Sequence, residues 1–301
     1  MAVDLQALYP KLIHLMLDTV FVVDEHNQIV FVSDACESLI GYRAEELIGT
    51  LITNYMHPED LAATKDSIQR VMNGQPHIDY RNRYLHKGGA IVHILWSACW
   101  YQEERVRIGV ARDVTALMQT EEELRFLAHH DPLTKLTNRS LFYDRLATGL
   151  NSAHRHQTML ALLYIDINDF KVINDTHGHA VGDSVLCTVA NRLESCVRET
   201  DTVARMGGDE FTVLLTDLHS KEAVAAKVEQ FMNVINKPLG EELGKIRMPS
   251  CSIGVACYPE DGEDADTLIS HADSHMYQIK RLHSVAMSPI ASQESRSKAG
   301  N

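Results

Sequence analysis

The first third of the chain alternates short runs of β-branched and aromatic residues with polar turns. Residues 19–34 read TVFVVDEHNQIVFVSD, in which two β-rich runs flank a turn-like stretch at 25–27 and predict a hairpin. A helical and loop stretch follows over residues 35–73, and two further strands are predicted around the Lys-Gly-Gly turn at 87–89. With a last strand at 105–113, this order predicts a small α+β domain built on an antiparallel sheet.

The second half alternates helical and strand patterns. The continuous apolar run at 159–165 is typical of a strand that is covered on both faces. Runs at 203–206 and 211–215 flank a glycine turn and predict a second hairpin. The remaining predicted elements are helices at 139–153, 168–175, 180–197, 221–236 and 264–282 and a strand at 249–257. Together they predict one mixed sheet with helices packed on it.

Between these halves, residues 116–130 (ALMQTEEELRFLAHH) predict a helical linker. Leu117, Leu124 and Leu127 fall on one helical face, with three glutamates on the other. The segment is too short for periodicity alone to establish a coiled coil. Pairing with a second copy and packing onto the chain's own domain therefore both stay open. The serine-rich end of the chain lacks periodicity and predicts disorder. The predicted organisation is a first domain at 1–115, the linker at 116–130, a second domain at 131–284 and a disordered tail at 285–301.

Charge and hydropathy exclude several classes of protein. The formal net charge of −13 argues against a nucleic-acid partner. No apolar run approaches the ~18 residues that span a bilayer, and the N-terminus lacks the features of a signal peptide. We therefore expect a cytoplasmic protein without membrane insertion. The six cysteines contain no CxxC pair and are expected to be reduced thiols.

Acidic residues at the second hairpin are the first candidates for chemistry. The Gly-Gly turn at 207–208 leaves Asp209 and Glu210 at the hairpin tip, because glycine tolerates the positive φ that tight turns require. Asp166 follows the buried strand 159–165, where packing gives a carboxylate little reason to exist. If hairpin and strand are neighbours, these carboxylates converge as ligands for Mg²⁺, which completes its shell with phosphate oxygens and water. Such a ligand set is typical of two-metal phosphoryl or nucleotidyl transfer.

The segment after Asp166 adds features that suit a phosphate. A helix that begins near residue 168 points its free N–H groups toward the same place, which favours an anion. Lys171 on this helix adds a compact cation. A lysine on a helix is usually an ordinary solvated residue. Lys171 becomes a candidate phosphate ligand only because the acidic residues and the helix N-terminus are predicted to lie beside it.

The order of elements in residues 10–115 resembles the PAS family. The matching stretches are Gly41-Tyr42 with Glu46-Leu47-Ile48-Gly49, then His57-Pro58-Glu59-Asp60, then Asp113-Val114-Thr115. The resemblance implies a sensor and dimerisation module of a family in which several members bind haem, flavin or small metabolites. No residue in this part of the chain compels a cofactor, so the PAS ligand and its signal stay open.

Residues 131–284 resemble the GGDEF diguanylate cyclases over nearly their full length. The matching stretches are Asp131-Pro132-Leu133-Thr134 with Leu136, Asn138 and Arg139; Asp166-Ile167 through Phe170-Lys171; Ile173-Asn174-Asp175; Gly178-His179 with Gly182-Asp183; Arg205 through Phe211; Ser252-Ile253-Gly254-Val255-Ala256; and Ala272-Asp273 with Met276-Tyr277 and Lys280. The joint pattern is highly specific. It implies a fold like the palm of polymerases and class III nucleotide cyclases.

The resemblance also implies an activity and roles for individual residues. Two GTP would condense to cyclic di-GMP and two pyrophosphates in a homodimer whose two sites face each other. The implied ligands of Mg²⁺ or Mn²⁺ are Asp166, the Ile167 carbonyl, Asp209 and Glu210, the last two being catalytic as well. The implied substrate contacts are Asn174 and Asp183 for guanine, and Asp169, Phe170, Lys171, His179 and Lys280 elsewhere. Asp183 suits guanine physically, because a carboxylate accepts from both N1–H and the 2-amino group.

Two further features bear on regulation and on activity. Arg198 and Asp201 form an RxxD motif, which in the family binds cyclic di-GMP and inhibits; arginine pairs well with phosphate and aspartate with a guanine edge. Family members commonly carry Gly-Arg at the third and fourth positions after Lys280, where this chain has His283 and Ser284. A degenerate domain that senses GTP or cyclic di-GMP without turnover is therefore the alternative. The retained Asp183 disfavours a mixed cyclic dinucleotide as product.

Overall fold

The computed structural model describes residues 8–238 and 249–287. The chain divides into two units, residues 1–124 and 125–301, and each has its own five-stranded sheet. Within the described ranges, no helix combines the length and the apolar character needed to cross a bilayer. All six cysteines are free thiols, as the sequence predicted.

The first unit is an α+β domain built on an antiparallel sheet, as predicted. Its strands are ordered β2-β1-β5-β4-β3. The elements are α1 (Tyr9–Leu15), β1 (Thr19–Asp24), β2 (Ile29–Val32), α2 (Cys36–Ile40), α3 (Ala44–Leu47), 3₁₀ turns at Ile52–Tyr55 and Pro58–Asp60, α4 (Leu61–Met72), β3 (His77–Leu85), β4 (Ile91–Tyr101) and β5 (Val106–Asp113).

The predicted first hairpin is confirmed, and its turn has a local chemical cause. Strands β1 and β2 pair antiparallel, with Phe21 opposite Val32. The carboxylate of Asp24 accepts hydrogen bonds from the backbone N–H groups of His26 (2.9 Å) and Gln28 (2.8 Å). Asn27 adopts φ +66°, a left-handed conformation that asparagine tolerates better than most residues. The turn residues thus fix the reversal of the chain.

The second unit is the predicted mixed sheet between two layers of helices. Its strands are ordered β10-β7-β9-β8-β6, and among the strands of the described ranges the β6–β8 pair alone is parallel. The elements are α5 (Thr115–His129), which contains the boundary between the units, β6 (Thr137–Asn138), α6 (Arg139–His156), β7 (Met159–Ile167), α7 (Phe170–His177), α8 (His179–Glu194), β8 (Thr202–Gly207), β9 (Glu210–Leu218), α9 (Lys221–Ile235), β10 (Cys251–Tyr258) and α10 (Ala265–Met287).

Strand β7, an inner strand of this sheet, supplies side chains to two separate cores. Leu163 and Ile165 face one core with residues of α8 and α9, whereas Leu162 and Tyr164 face the other core with residues of α6 and α10. Since successive side chains of a strand point to opposite faces, covering both faces demands an unbroken apolar run. This is the physical reason for the pattern at 159–165.

Two predicted boundaries are wrong in an informative way. Strand β7 continues through Asp166 to Ile167, because Ile167 still pairs with Cys251 and donates its N–H to the Asp209 carbonyl (3.3 Å). Helix α10 continues to Met287, so residues 285–287 are helical and do not belong to a disordered tail. Residues 288–301 of that predicted tail lie outside the described ranges.

Candidate active site

The carboxylates singled out in the sequence lie at one end of two adjacent central strands. Asp166 of β7 is directly opposite Glu210 of β9, so both side chains stand on the same face of the sheet. Asp209 lies in the turn before β9, and its carbonyl accepts the N–H of Ile167 at 3.3 Å. The hairpin is therefore the neighbour of β7, as the predicted convergence required.

The tip of the hairpin depends on glycine and on an arginine clamp. Gly208 takes φ +54° in the two-residue turn between β8 and β9. Arg205 holds this turn, since its Nε and Nη2 donate to the Gly208 carbonyl at 3.0 and 2.7 Å. The same guanidinium donates through Nη1 to Asp131 Oδ1 at 3.0 Å. Arg205 therefore links the acidic turn to the start of the domain.

Asp131 is a positioning residue for which the sequence assigned no role. Its carboxylate also accepts from the N–H and the hydroxyl of Thr134, at 2.8 and 2.7 Å. Burial opposes ionisation of Asp131, but the hydrogen bonds from Thr134 and Arg205 outweigh it and hold the pKa of Asp131 below its usual value. The Asp-x-x-Thr spacing predicts the local turn, whereas the pairing with Arg205 depends on a fold that no local pattern encodes.

Lys280 reaches the site because α10 packs unusually close to the sheet. A side chain on Gly254 of β10 would overlap the backbone of Ala272 and Met276, so only glycine permits this approach. One helical turn after Met276, the ammonium of Lys280 lies 2.6 Å from Asp166 Oδ1. Two residues before Gly254 on the same face, Ser252 pairs with Asp166 in register. The packing of α10 and the pairing of β10 with β7 therefore both place residues next to the carboxylate of Asp166.

The site carries a concentrated negative charge. Asp166 is only 5% exposed, and this burial raises its pKa; Lys280 opposes the rise, and the nearby carboxylates of Asp209 and Glu210 add to it. Tyr164 donates its hydroxyl to Glu210 Oε2 at 2.9 Å. Burial, reinforced by Glu210, raises the pKa of Tyr164, so the phenol stays a neutral donor at physiological pH.

The donor chemistry fits a divalent cation of the hard, oxygen-binding class. Asp166, Asp209 and Glu210 offer only oxygen, and their mutual repulsion is relieved by positive charge. Within the described ranges, no three side chains of His, Cys, Asp or Glu are arranged to hold a metal ion by themselves. A cation here would therefore take one or two carboxylates, with backbone and phosphate oxygens for the rest, which is how Mg²⁺ is usually held.

The two residues predicted to read guanine lie on a helical hairpin formed by α7 and α8. Asn174 Oδ1 is buried and makes no hydrogen bond with any described residue. A side chain on Gly182 of α8 would overlap that same oxygen, so Gly182 leaves the space in which Asn174 sits. Asp183 comes next on α8 and is exposed, as is His179 in the first turn. An unpaired buried acceptor is costly unless a ligand completes it.

The predicted phosphate contacts surround the start of α7. Asp169 adopts φ +57° at the N-cap position, and its side chain does not cap the helix. Phe170 begins the helix, and Lys171 is exposed in its first turn. The free N–H groups and the cation are together there, as expected, and the helix dipole favours an anion at this end.

Asn168 and His283, the latter standing where the family commonly carries glycine, are both tied into the structure by hydrogen bonds. Asn168 is 4% exposed and bridges to β10, donating to Ser250 Oγ (3.0 Å) and accepting from Ser252 Oγ (2.8 Å). His283 Nε2 lies 3.1 Å from Ser250 Oγ. The hydrogen-bonded chain from Asn168 through Ser250 to His283 therefore joins β7 to α10 next to Lys280.

The RxxD residues occupy one tight turn but differ sharply in exposure. The Asp201 carboxylate is 8% exposed, and it accepts from the N–H groups of Arg198 (3.1 Å) and Thr216 (3.2 Å). The Arg198 side chain is exposed. The Asp201 carboxylate therefore stabilises this turn, whereas the Arg198 side chain is exposed to solvent.

Family models match both units of the chain. A family model described as "Diguanylate cyclase, GGDEF domain" matches residues 128–284, and one described as "PAS fold" matches residues 29–110. The chain is 41% identical over 165 residues to the diguanylate cyclase TpbB of Pseudomonas aeruginosa, covering 55% of this chain and 38% of TpbB. A crystal structure of the GGDEF domain of TpbB covers 50% of this chain and 92% of that domain, with a TM-score of 0.48.

Other relatives extend over both units. The chain is 28% identical over 278 residues to the cyclic di-GMP phosphodiesterase PdeR of Escherichia coli, covering 87% of this chain and 40% of PdeR. It is 26% identical over 268 residues to a diguanylate cyclase of Vibrio cholerae, covering 87% of this chain and 83% of that protein. The chain thus spans about two fifths of the length of TpbB and of PdeR.

Proposed function

The chain belongs to the GGDEF diguanylate cyclase family, and on that premise we propose that it condenses two molecules of GTP into cyclic di-GMP and two pyrophosphates. One observation carries the proposal: Asp166 and Glu210 stand in register on adjacent strands, with Asp209 in the turn beside them. Carboxylates so arranged at the end of a sheet suit nucleotidyl transfer, in which positioning and charge stabilisation do most of the work.

Two groups of residues bind the substrate, one at its guanine base and one at its phosphates. Asn174 and Asp183 bind the guanine, where the unsatisfied Asn174 Oδ1 accepts a hydrogen bond from the base. The N-terminal turn of α7, with Asp169, Phe170 and Lys171, holds phosphate oxygens, and His179 in the first turn of α8 contributes to the same binding region. Lys280 holds a phosphate as well, from its place beside Asp166. Asp209 or Glu210 takes the proton from the attacking 3′-hydroxyl, and Tyr164 orients Glu210.

Mg²⁺ or Mn²⁺ is the cofactor that this donor set suits. Asp166, Glu210, Asp209 and the backbone carbonyl of Ile167 would hold it. When bound, the metal would neutralise charge on the phosphates and lower the pKa of the attacking hydroxyl.

The reaction requires a homodimer, because each site holds one of the two GTP molecules that react. The linker helix α5 offers a surface for such pairing, since Leu117, Leu124 and Leu127 are 59%, 61% and 43% exposed. We propose that the PAS unit acts through this helix, favouring a productive or an unproductive alignment of the two sites. The linker segment contains no glycine or proline, which suits a stiff connection.

The direct test is product identification. Purified protein incubated with Mg²⁺ and GTP is expected to yield cyclic di-GMP and pyrophosphate by mass spectrometry, and no cyclic dinucleotide from ATP alone. Activity should rise more than linearly with protein concentration while dimers are scarce. Absence of product from folded protein that still binds GTP in calorimetry would overturn the enzymatic proposal.

That negative outcome would favour the second candidate, a domain that senses GTP or cyclic di-GMP without turnover. Two observations keep it in view. Lys280 already pairs with Asp166, and His283 with Ser284 replaces the Gly-Arg that the family commonly carries. Binding of either nucleotide without pyrophosphate release separates this candidate from the enzyme.

We further propose product inhibition through Arg198, and the structure refines how it should be tested. Arg198→Ala is expected to weaken cyclic di-GMP binding several-fold and to relieve inhibition, with the initial rate unchanged, because the exposed guanidinium is free to pair with phosphate. The measurement is calorimetric titration with cyclic di-GMP beside rate curves at rising product. Asp201→Ala is expected to lower the melting temperature, because it leaves the part-buried N–H groups of Thr216 and Arg198 without their acceptor. If the wild type does not bind cyclic di-GMP, this regulation is absent.

A further inference from the structure

The first unit contains a small cavity between its sheet and α4, and no role has been assigned to it above. Its volume is about 40 Å³. Apolar side chains such as Phe21, Ile68, Val71 and Trp96 form most of the wall. By the space one water requires, it holds about three water-sized groups. This is far too small for haem or flavin, so those ligands do not fit the cavity as it stands.

A buried arginine without a carboxylate partner lines this cavity. Arg107 of β5 is 7% exposed, and its Nη1 and Nη2 donate only long hydrogen bonds of 3.3 Å to Asn27 Oδ1. Among the described residues no carboxylate forms an ion pair with it, and Asp24 attracts it from farther away. Burial lowers the pKa of Arg107, as desolvation of an unpaired cation does. Buried charges are normally paired, so this guanidinium is short of an anion.

A second polar group on the cavity wall is also unsatisfied. Tyr84 is 1% exposed, and its hydroxyl forms no hydrogen bond of normal geometry with a described residue, although the side chain of Asn82 is close enough to lower its pKa against the larger effect of burial. Its neighbour Asn82 is already engaged, donating to Thr64 Oγ1 (3.2 Å) and accepting from Trp96 Nε1 (2.9 Å). Tyr84 and Arg107 are close enough to affect each other's ionisation. One phenol and one guanidinium therefore present unused donors to the same small space.

We propose that this cavity binds a small monocarboxylate, no larger than acetate, as the ligand of the first unit. A carboxylate accepts several hydrogen bonds, which matches the guanidinium of Arg107 and the hydroxyl of Tyr84. The short alkyl part lies against Ile68 and Val71, where the wall is apolar. The ligand pairs the buried cation and satisfies the buried phenol at once, which is the reason for binding. The inference does not depend on the activity of the second unit.

The test uses the full chain and two readouts, calorimetry and thermal unfolding. Sodium formate and sodium acetate are titrated against sodium chloride at matched ionic strength, with formamide and acetamide as uncharged isosteres. The carboxylates are expected to bind saturably and to raise the melting temperature, and the amides and chloride are expected to do neither. Tyr84→Phe should weaken binding by about tenfold, the effect of one hydrogen bond to a charged group. Arg107→Met should abolish it.

The control is Arg112→Met on the same strand, since Arg112 is exposed and pairs with Asp18 at 2.8 Å, away from the cavity. It should bind as the wild type does. Absence of saturable binding, equal binding of amides, displacement by chloride or unchanged affinity in Tyr84→Phe would each overturn the proposal. If Arg107→Met does not fold, the Tyr84→Phe result and the amide comparison decide it.

Discussion

Asp166→Asn and Glu210→Gln are each expected to lower the rate of cyclic di-GMP formation by at least about 100-fold, the scale of losing one group that stabilises developing charge. Both changes keep the size of the side chain and remove its negative charge. Asp166 and Glu210 are opposite each other on β7 and β9. Each substitution therefore removes one negative charge from the same cluster of carboxylates. The measurement is steady-state pyrophosphate release with saturating GTP and Mg²⁺.

The stability of Asp166→Asn separates a catalytic role from a structural one. The folded-state pKa of Asp166 is raised, so the fold disfavours its ionised form, and stability falls as pH rises from the unfolded pKa through the folded pKa. At neutral pH the ionised carboxylate therefore costs stability, and the neutral amide is expected to leave the melting temperature equal or higher. A carboxylate that only stabilised the fold would give the opposite result. Such conflict between stability and function is common at active sites.

Asp217→Asn is the matched control on β9. Asp217 is exposed and has φ +50°, a conformation that asparagine also adopts readily, so turnover and stability should both stay at the wild-type level. Wild-type turnover in folded Asp166→Asn or Glu210→Gln would remove the proposed mechanism. A fall in turnover that Asp217→Asn shares would point to a general charge effect.

Most helices and strands of the second unit could be predicted, because several local sequence patterns indicate each of them. The apolar run at 159–165 identified the central strand, and the Gly-Gly turn identified the hairpin beside it. Once these two are neighbours, the acids at their ends must meet. The parallel pair of β6 with β8 was beyond such reasoning, because β6 is only two residues long and its pairing is set by the tertiary fold.

Contacts between distant residues could not be predicted from pattern. Lys280 reaches Asp166 only because Gly254 lets α10 approach β10, and that glycine looks like any other in the sequence. Asp201 fits an RxxD motif, yet its carboxylate accepts a hydrogen bond from Thr216, which lies on β9 and is fifteen residues away in the sequence. The sequence shows which side chains could bind a ligand. The packing of the fold determines which of those side chains are already engaged in contacts within the protein.

Gly182→Ala is expected to raise the KM for GTP by about 10- to 100-fold while leaving the fold intact. Alanine favours a helix interior over glycine by about 1 kcal/mol, so α8 itself should gain stability. The new Cβ would overlap Asn174 Oδ1 and approach Phe170 Cζ to 3.2 Å. The movable end of Asn174 must then give way, and a displaced Asn174 no longer accepts its hydrogen bond from the guanine. Sites that read polar groups lose selectivity when a partner is displaced, so discrimination between GTP and ATP should fall as well.

Ser184→Ala on the same helix is the matched control, because its side chain returns to the Ala180 carbonyl (3.0 Å) and the change adds no atom near α7. The decisive measurement is a double-mutant cycle with Asn174→Ala. If Gly182→Ala acts by displacing Asn174, the double variant should bind GTP no worse than Asn174→Ala alone, and the two effects will be strongly non-additive. Additive losses would mean that Gly182→Ala perturbs the site by another route. An unchanged KM would mean that Asn174 does not read the base, and guanine selectivity would then rest on Asp183 alone.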